Sequence, residues 1–429
     1  MRGQSGGRGR SAGPARASSP PPNTGATTRW QRWARLRQSL WQPPRPHGEQ
    51  PPERVVGPLE LFYDLAVVVL VAQAARHLAG HLTWRGLGEF AVVFTLVWIA
   101  WINGSLHHEL HGHDDARGRS TFLLQILVLA AMGAFIPGAG GARGAAFAVA
   151  TAVLFAVLAL LWVLAARGDR LEYRRSSRLF VTGTAACAVA LAGTAFLPAS
   201  ARIPAWGLLD AAYLAGFGAV ILAATPAQAA ALTITDSLID RFGALTIIVL
   251  GETLTGVVGG LASEPISGLT LSVGLVAVVV GFGAWWTYFD FAGDRHPRPG
   301  RTATLQWMLS HLPLTAAIAG LGAAMVSLVD HAHDARTPAA TGWVLGAAAA
   351  VVLCATMLVS ASLQAWHRDR GLYRPLARTC AAVAVACLGV GAARPAPVIL
   401  GLALVLLLGI PWGLTVAHRL ANAADSPIE

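Results

Sequence analysis

The sequence predicts an all-α polytopic membrane protein with about twelve transmembrane helices. Of its 429 residues, 55% are hydrophobic and only 13% are charged, which is more apolar surface than one soluble core can bury. Apolar stretches of about 15 to 26 residues recur from residue 59 onward, and about 20 helical residues cross the hydrocarbon layer of a bilayer. Strands of a membrane barrel would give shorter segments of alternating polarity, so we expect helices.

Short polar connectors separate the twelve predicted spans, which form two halves. The first half, 55–239, contains the spans 59–79, 87–106, 120–138, 145–166, 179–198 and 206–226. The second half, 240–420, contains the spans 240–261, 268–291, 305–329, 342–365, 379–393 and 396–418.

The two halves are candidates for six-helix parallel repeats. At an offset of 180 residues, Phe62–Leu70 aligns with Phe242–Leu250, and a span with paired tryptophans follows each copy. Two such units in one orientation occur in parallel-repeat transporters. Apolar helices also match by chance, so both explanations stay open.

Residues 1–54 predict a disordered basic tail, because they are rich in Arg, Pro, Gly and Ser and contain no long apolar run. Within the tail, residues 29–41 could form an interfacial helix, with tryptophans near one side and arginines available to anionic lipid headgroups. A solvated linker is the alternative. The net charge of +10 lies in this tail and the connectors, so membrane lipids are the expected partners and nucleic acid is not. Residues 421–429 form a short C-terminal tail.

Arginines near the span ends predict the orientation, because basic residues resist export across the membrane. With the N-terminal tail inside, the outer connectors contain Arg85, Arg143, Arg202, Arg336 and Arg394, and the inner connectors contain many more. We therefore expect a multi-pass protein of the bacterial inner membrane with both termini in the cytoplasm. The oligomeric state cannot be predicted from the sequence.

The first span begins with two acids, Glu60 and Asp64, which are four residues apart and share one face of a helix. Glu60 could be a capping charge that the helix dipole stabilises by roughly 0.3–1 kcal/mol. Asp64 lies deeper, about 8 Å inside the membrane end, and is a candidate for a proton or ion pathway.

A histidine-rich connector follows the second predicted span, with the sequence HHELHGHDD from His107 to Asp115. His107 and His111 are four residues apart, and His113 follows at once, so the connector offers enough ligands for Zn²⁺, Ni²⁺ or Cu²⁺. A polar connector without a metal is the alternative interpretation.

The seventh span begins at Asp240 and Arg241 and contains Glu252 in an otherwise apolar run. Twelve helical residues from Asp240 correspond to about 18 Å, which places Glu252 near the bilayer centre. An acid there costs about 2.5–3.5 kcal/mol on insertion scales. We therefore expect either a protonatable group that faces the bundle interior or a structural acid that hydrogen-bonds a neighbouring helix.

Asp240 and Arg241 are candidates for an ion pair that sets the helix register. Arg241 could pair with Asp64 or with Asp290, which ends the eighth span, or its side chain could reach the membrane surface instead. His311, in the ninth span, is a candidate relay or a helix-packing residue.

Signatures of enzyme chemistry are missing from the sequence. It contains no nucleophile elbow, no phosphate-binding loop with Lys, no HExxH pair and no dinucleotide fingerprint. No catalytic residue and no cofactor is predicted, and enzyme activity is the less favoured interpretation.

Three stretches, Leu59–Val69, Asp240–Leu254 and Trp285–Gly293, together resemble the signature of the bacterial low temperature requirement protein A family. The similarity covers about residues 54 to 420. It implies a polytopic inner-membrane protein and no settled biochemical activity. Many family members carry a histidine just before the second motif, where this chain has Ser237.

These observations favour a proton-linked transporter or ion pathway for an unidentified small solute, with intramembrane carboxylates as the working groups. A non-transporting membrane sensor or scaffold for stress is the alternative, with the basic tail and the histidine connector as its working parts. A membrane-embedded lipid-modifying enzyme ranks third.

Overall fold

A computed structural model describes residues 30, 33, 40–49, 55–231, 234–265 and 267–424. Most of the predicted interfacial helix at 29–41 and the end of the C-terminal tail lie outside the described residues. Twelve helices within the described part are long and apolar enough to cross a membrane. The predicted fold class and the predicted number of spans are therefore confirmed.

The twelve long helices follow the predicted order along the chain. In the first half they are α1 Pro58–Ala79, α2 Trp84–His111, α3 Ala116–Phe135, α4 Gly144–Ala166, α5 Arg174–Thr194 and α6 Ala199–Leu222. In the second half they are α7 Asp236–Ser263, α8 Gly268–Phe291, α9 Arg301–Asp330, α10 Ala339–Ser362, α11 Arg370–Ala393 and α12 Pro397–Ala424. Two short helices, Pro226–Ala231 and Gln364–Arg368, lie in connectors.

Polar residues at the connectors start several of the helices. The side-chain oxygens of Thr83, Asp115, Thr235 and Ser267 each accept a hydrogen bond from a backbone N–H in the first turn of α2, α3, α7 and α8. Such caps satisfy N–H groups that the helix itself leaves without partners. The same polar letters that separate the apolar stretches in the sequence therefore also set the helix starts.

The helices α2, α9 and α10 are the most buried spans, and α3 and α6 are the least buried. The first helices of the two halves, α1 and α7, pack against each other, and α9 packs against both. Glycines allow the closest helix contact: a Cβ atom at Gly346 of α10 would lie 2.5 Å from the Cys387 carbonyl oxygen of α11. Small residues permit such close approach between membrane helices.

Residues 42–49 differ from the predicted disordered tail. The backbone N–H of Arg45 donates to the His111 carbonyl at 3.1 Å, and that of His47 donates to Asp169 Oδ1 at 2.8 Å. The His47 ring is buried and stacks on Tyr173 with a centroid separation of 4.6 Å. This part of the tail is thus fixed against the end of the helix bundle, because the chain there offers both hydrogen bonds and ring contacts.

Candidate functional site

A buried ion pair joins α1 to α7 and therefore joins the two halves. Arg241 Nη2 lies 2.6 Å from Asp64 Oδ1, and Arg241 Nε lies 3.3 Å from Oδ2. The side chains of Arg241 and Asp64 are 1% and 0% exposed. Trp101 of α2 donates its indole N–H to Asp64 Oδ1 at 2.7 Å. Of the two acids considered for Arg241, the structure selects Asp64.

Glu60 extends this pair into a cluster that also includes α2. Its Oε2 accepts the backbone N–H of Gly57 at 2.9 Å, which holds the carboxylate at the start of α1. Its Oε1 lies 3.2 Å from His108 Nε2 and 3.9 Å from Arg241 Nη1. We call Glu60, Asp64, His108 and Arg241 the inner cluster. Its two carboxylates share one guanidinium, and the His108 ring faces Glu60.

A second ion pair joins α1 to α7 at another depth. Arg76 Nη1 lies 2.6 Å from Glu252 Oε1, and the two side chains are 53% and 23% exposed. We call Arg76 and Glu252 the outer pair. The eleven residues from Arg241 to Glu252 correspond to about 16 Å along α7, so the two ion pairs lie at opposite ends of one interface.

The outer pair defines the surroundings of Glu252. Glu252 hydrogen-bonds a neighbouring helix, as one of the two expectations had it, and its partner is the charged side chain of Arg76 on α1. It lies beside a groove between α1, α7 and α9 with a cavity of about 30 Å³, room for about one or two waters. Arg76 can reach Glu252 because the long arginine side chain extends from the last turn of α1.

The other predicted pathway residues lie outside the inner cluster. His311 is buried; its Nδ1 donates to the Trp307 carbonyl at 2.7 Å, and its Nε2 lies 3.1 Å from the Tyr288 hydroxyl. The Phe242 ring packs against His311 and also against Trp101. This apolar ring therefore lies between the histidine and the inner cluster.

Asp290 and Asp240 likewise contribute nothing to the cluster. Asp290 accepts the indole N–H of Trp286 at 3.0 Å and does not pair with Arg241. Asp240 is exposed, and no ion pair to it is found within the described part of the chain. Adjacent helical residues point in different directions, so Arg241 faces the interior while Asp240 faces away.

The histidine connector contributes His108 to this site. The described residues contain no group of three or more His, Cys, Asp or Glu side chains that could hold a metal ion. His107 packs against Trp162, and His111 contacts the backbone of Arg45. His113 lies beyond the end of α2. The rings of His107 and His111 lie 5.5 Å apart and both pack against Trp162, because residues four apart share one face of α2.

Sequence reasoning missed the role of Glu109, which connects α2 to the start of α7. Glu109 is buried; its Oε1 accepts the hydroxyl of Thr235 and its Oε2 that of Ser237, each at 2.8 Å. His108 and Trp101 were likewise not recognised as partners of Glu60 and Asp64. The available signal was the run HHEL itself, since a helical extension of the second span would bring His108 and Glu109 toward α1 and α7.

A comparison with known protein families identifies the family of this chain. The profile described as bacterial low temperature requirement A protein matches residues 55–410. The chain belongs to this low temperature requirement A family. The match covers both halves, including the inner cluster and the outer pair. No curated protein and no solved structure was found to match the chain.

This low temperature requirement A protein also has a buried acid in the middle of a span that sequence reasoning did not single out. Asp210 is 5% exposed and lies eleven residues after the start of α6, which has 24 residues. Neither carboxyl oxygen has a hydrogen-bond partner among the described residues. Buried polar groups in proteins nearly always have partners. Asp210 is therefore a mid-span acid without a hydrogen-bond partner among the described residues.

Proposed function

We propose that this low temperature requirement A protein is a proton-linked transporter of a small solute or ion. Its two halves move against each other across α1 and α7. One observation carries the proposal: two ion pairs connect these helices at opposite ends, and one of them is fully buried. Isolated charges are costly inside a membrane and usually serve function there.

The inner cluster supplies the proton-linked step in this proposal. A buried ion pair contributes little net stability, because desolvation of both charges offsets their attraction. A proton on Asp64 or Glu60 would remove one negative charge facing Arg241 and weaken the contact between α1 and α7. Protonation would thus favour opening at this end of the interface. The arginine distribution predicts that this end faces the cytoplasm.

The outer pair would close the opposite end of the same interface. Arg76 and Glu252 are partly exposed, whereas Asp64 and Arg241 are buried. Ion pairs that alternate between two ends of an interface between repeats are suited to alternating access. The groove between α1, α7 and α9 beside Glu252 is the proposed entry on this side.

The test is proton movement in liposomes that contain the purified protein and a trapped pH-sensitive dye. Sugars, amino acids, metal cations and organic anions are added in turn under an imposed pH gradient. We expect one solute class to drive proton movement above that of empty liposomes, and Asp64→Asn to abolish it. Arg175→Gln, on the exposed start of α5, is the control. Equal proton movement with and without protein for every class would contradict the proposal.

A sensor or scaffold is the second candidate, and the packed segment 42–49 favours it. This segment contacts the C-terminal end of α2 and the connector before α5, so a signal received by the tail has a physical route to the helices. Deleting residues 1–41 leaves the packed segment in place and distinguishes the two candidates. A transporter keeps its flux after this deletion, whereas a tail-dependent scaffold loses its cellular phenotype.

A further inference from the structure

An apolar groove runs between α5 and α6 on the surface of the first half. Its volume is about 620 Å³, within the range of sites that enclose small ligands. Small residues such as Gly183 and Gly216 open the groove, and Leu179, Phe180 and Phe217 form its walls.

The length of the groove matches one leaflet of a bilayer. Its lining on α5 extends from Leu179 to Ala190, and eleven helical residues correspond to about 16 Å. Half of the hydrocarbon layer is about 15 Å thick. On α6 the lining extends from Leu209, near the middle of that helix, to Ala223 just past its end, so the groove has the length of a single acyl chain.

A basic cavity adjoins the end of this groove. Its volume is about 320 Å³, and its lining includes Arg167 from the end of α4 and Arg174 and Arg178 from the start of α5. Thr182 lines both the basic cavity and the groove. The two spaces are therefore neighbours, one cationic and at the membrane surface, the other apolar and within the hydrocarbon.

The three arginines have no anionic partner among the residues that the structure describes. None of their guanidinium groups contacts a carboxylate in the part of the chain that the structure describes. Arg174 and Arg178 also lie at the N-terminal end of α5, whose first turn contains no acidic residue. The helix dipole is positive there and opposes cations, whereas it favours an anion. A bound anion would pair with the arginines and would also interact favourably with the helix dipole.

We propose that an anionic phospholipid binds here, with its phosphate on Arg167, Arg174 and Arg178 and one acyl chain in the groove between α5 and α6. Charge complementarity selects the headgroup, and the length and apolar lining of the groove select the chain. Basic pockets between membrane helices are typical sites for such headgroups. This site is separate from the inner cluster and does not depend on the transport proposal.

The expected selectivity follows from the number of arginines. Each basic residue near a membrane surface favours anionic lipid by a factor of about five, so three arginines correspond to a preference of roughly a hundredfold. Phosphatidylglycerol should therefore bind far more tightly than phosphatidylethanolamine, which has no net charge. Native mass spectrometry of the full-length purified protein, titrated with each lipid, measures this ratio.

Two variants test the two parts of the site separately. The triple variant Arg167→Gln, Arg174→Gln, Arg178→Gln should remove the preference for phosphatidylglycerol, and Arg175→Gln should keep it. Gly183→Leu should fill the groove and weaken binding of both lipids at least tenfold. A Cβ atom at Gly183 meets no atom within 4 Å, so the change is accommodated. A Cβ atom at Gly193 also meets no atom within 4 Å, and Gly193 does not line the groove. Gly193→Leu is therefore the control for Gly183→Leu.

Several outcomes would overturn the proposal. Equal binding of the two lipids by the unmodified protein would exclude headgroup selection. Full competition by inorganic phosphate, with no effect of Gly183→Leu, would indicate an anion site without an acyl chain. Dissociation of an oligomer by Gly183→Leu would show that a second copy, and not a lipid, covers the groove. The proposal is supported if both the triple variant and Gly183→Leu lose phosphatidylglycerol binding while both control variants keep it.

Discussion

Removing one charge from the buried ion pair should destabilise the protein far more than removing one from the outer pair. In Asp64→Asn, the Arg241 guanidinium loses its partner at 2.6 Å and keeps only Glu60 at 3.9 Å. Breaking a buried pair in this way costs about 3–5 kcal/mol, and the remaining carboxylate places the expected loss near the lower value. The introduced amide keeps an oxygen for the Trp101 indole, so the change isolates the charge.

The matched comparison is Glu252→Gln at the outer pair. Arg76 is 53% exposed there, and an exposed pair contributes about 0–1 kcal/mol. Melting temperatures of the purified variants in one detergent give the ranking, with an expected order of unmodified protein, Glu252→Gln, then Asp64→Asn. The double variant Asp64→Asn, Arg241→Gln should recover much of the loss, because it removes both charges of the buried pair. Glu60 then keeps His108 as its neighbour.

Two results would refute this reasoning. If Asp64→Asn and Glu252→Gln melt at the same temperature, burial does not distinguish the two pairs. If the double variant is less stable than Asp64→Asn by a further 3 kcal/mol or so, the side chains contribute independently and the ion pair is not the source of the effect.

Three further predictions concern other parts of the molecule. Asp210→Asn should leave the melting temperature unchanged or raise it, because it removes a buried carboxyl that has no hydrogen-bond partner among the described residues; a large decrease would show a partner that stabilises the charged form. Burial, with a smaller contribution from the nearby His111, lowers the pKa of His47 to about 4. A neutral buried imidazole stabilises the packed state above pH 6.5, and this stabilisation is lost as the pH falls toward 4, by up to about 3 kcal/mol. Hydrogen exchange of segment 42–49 should therefore rise over this range, and His47→Phe should remove the dependence. Gly346→Leu should separate α10 from α11 and lower the melting temperature, whereas Gly389→Leu, where a Cβ atom meets nothing within 4 Å, should not; equal effects would contradict the proposed close contact.

The fold was predictable because hydropathy is a local property of the chain. Each span must supply its own apolar length and its own backbone hydrogen bonds, so the count of twelve could be read without knowing any contact. The boundaries were less predictable where polar residues continue a helix. The second span was expected to end at residue 106, yet α2 ends at His111, because Glu60, Thr235 and Ser237 satisfy the polar side chains of His108 and Glu109.

The partners of the charged residues could not be predicted from local sequence in the same way. Arg241 had two possible acids, and only the packing of α1 against α7 selects Asp64. Glu252 was identified as unusual from its position alone, but its ion pair depends on a side chain 176 residues earlier in the chain, Arg76. Asp210 had the same sequence signal as Glu252, and its lack of a partner emerges only from the helices around it.

The sequence by itself determined the class, the number and order of the helices, the family resemblance and which charged residues lie within the membrane. The tertiary structure decided which of those charges meet, which histidines face the interior and which acid has no hydrogen-bond partner among the described residues. The physical reason is range: insertion into a bilayer depends on about 20 consecutive residues, whereas an ion pair depends on two helices that meet only when the whole bundle is assembled.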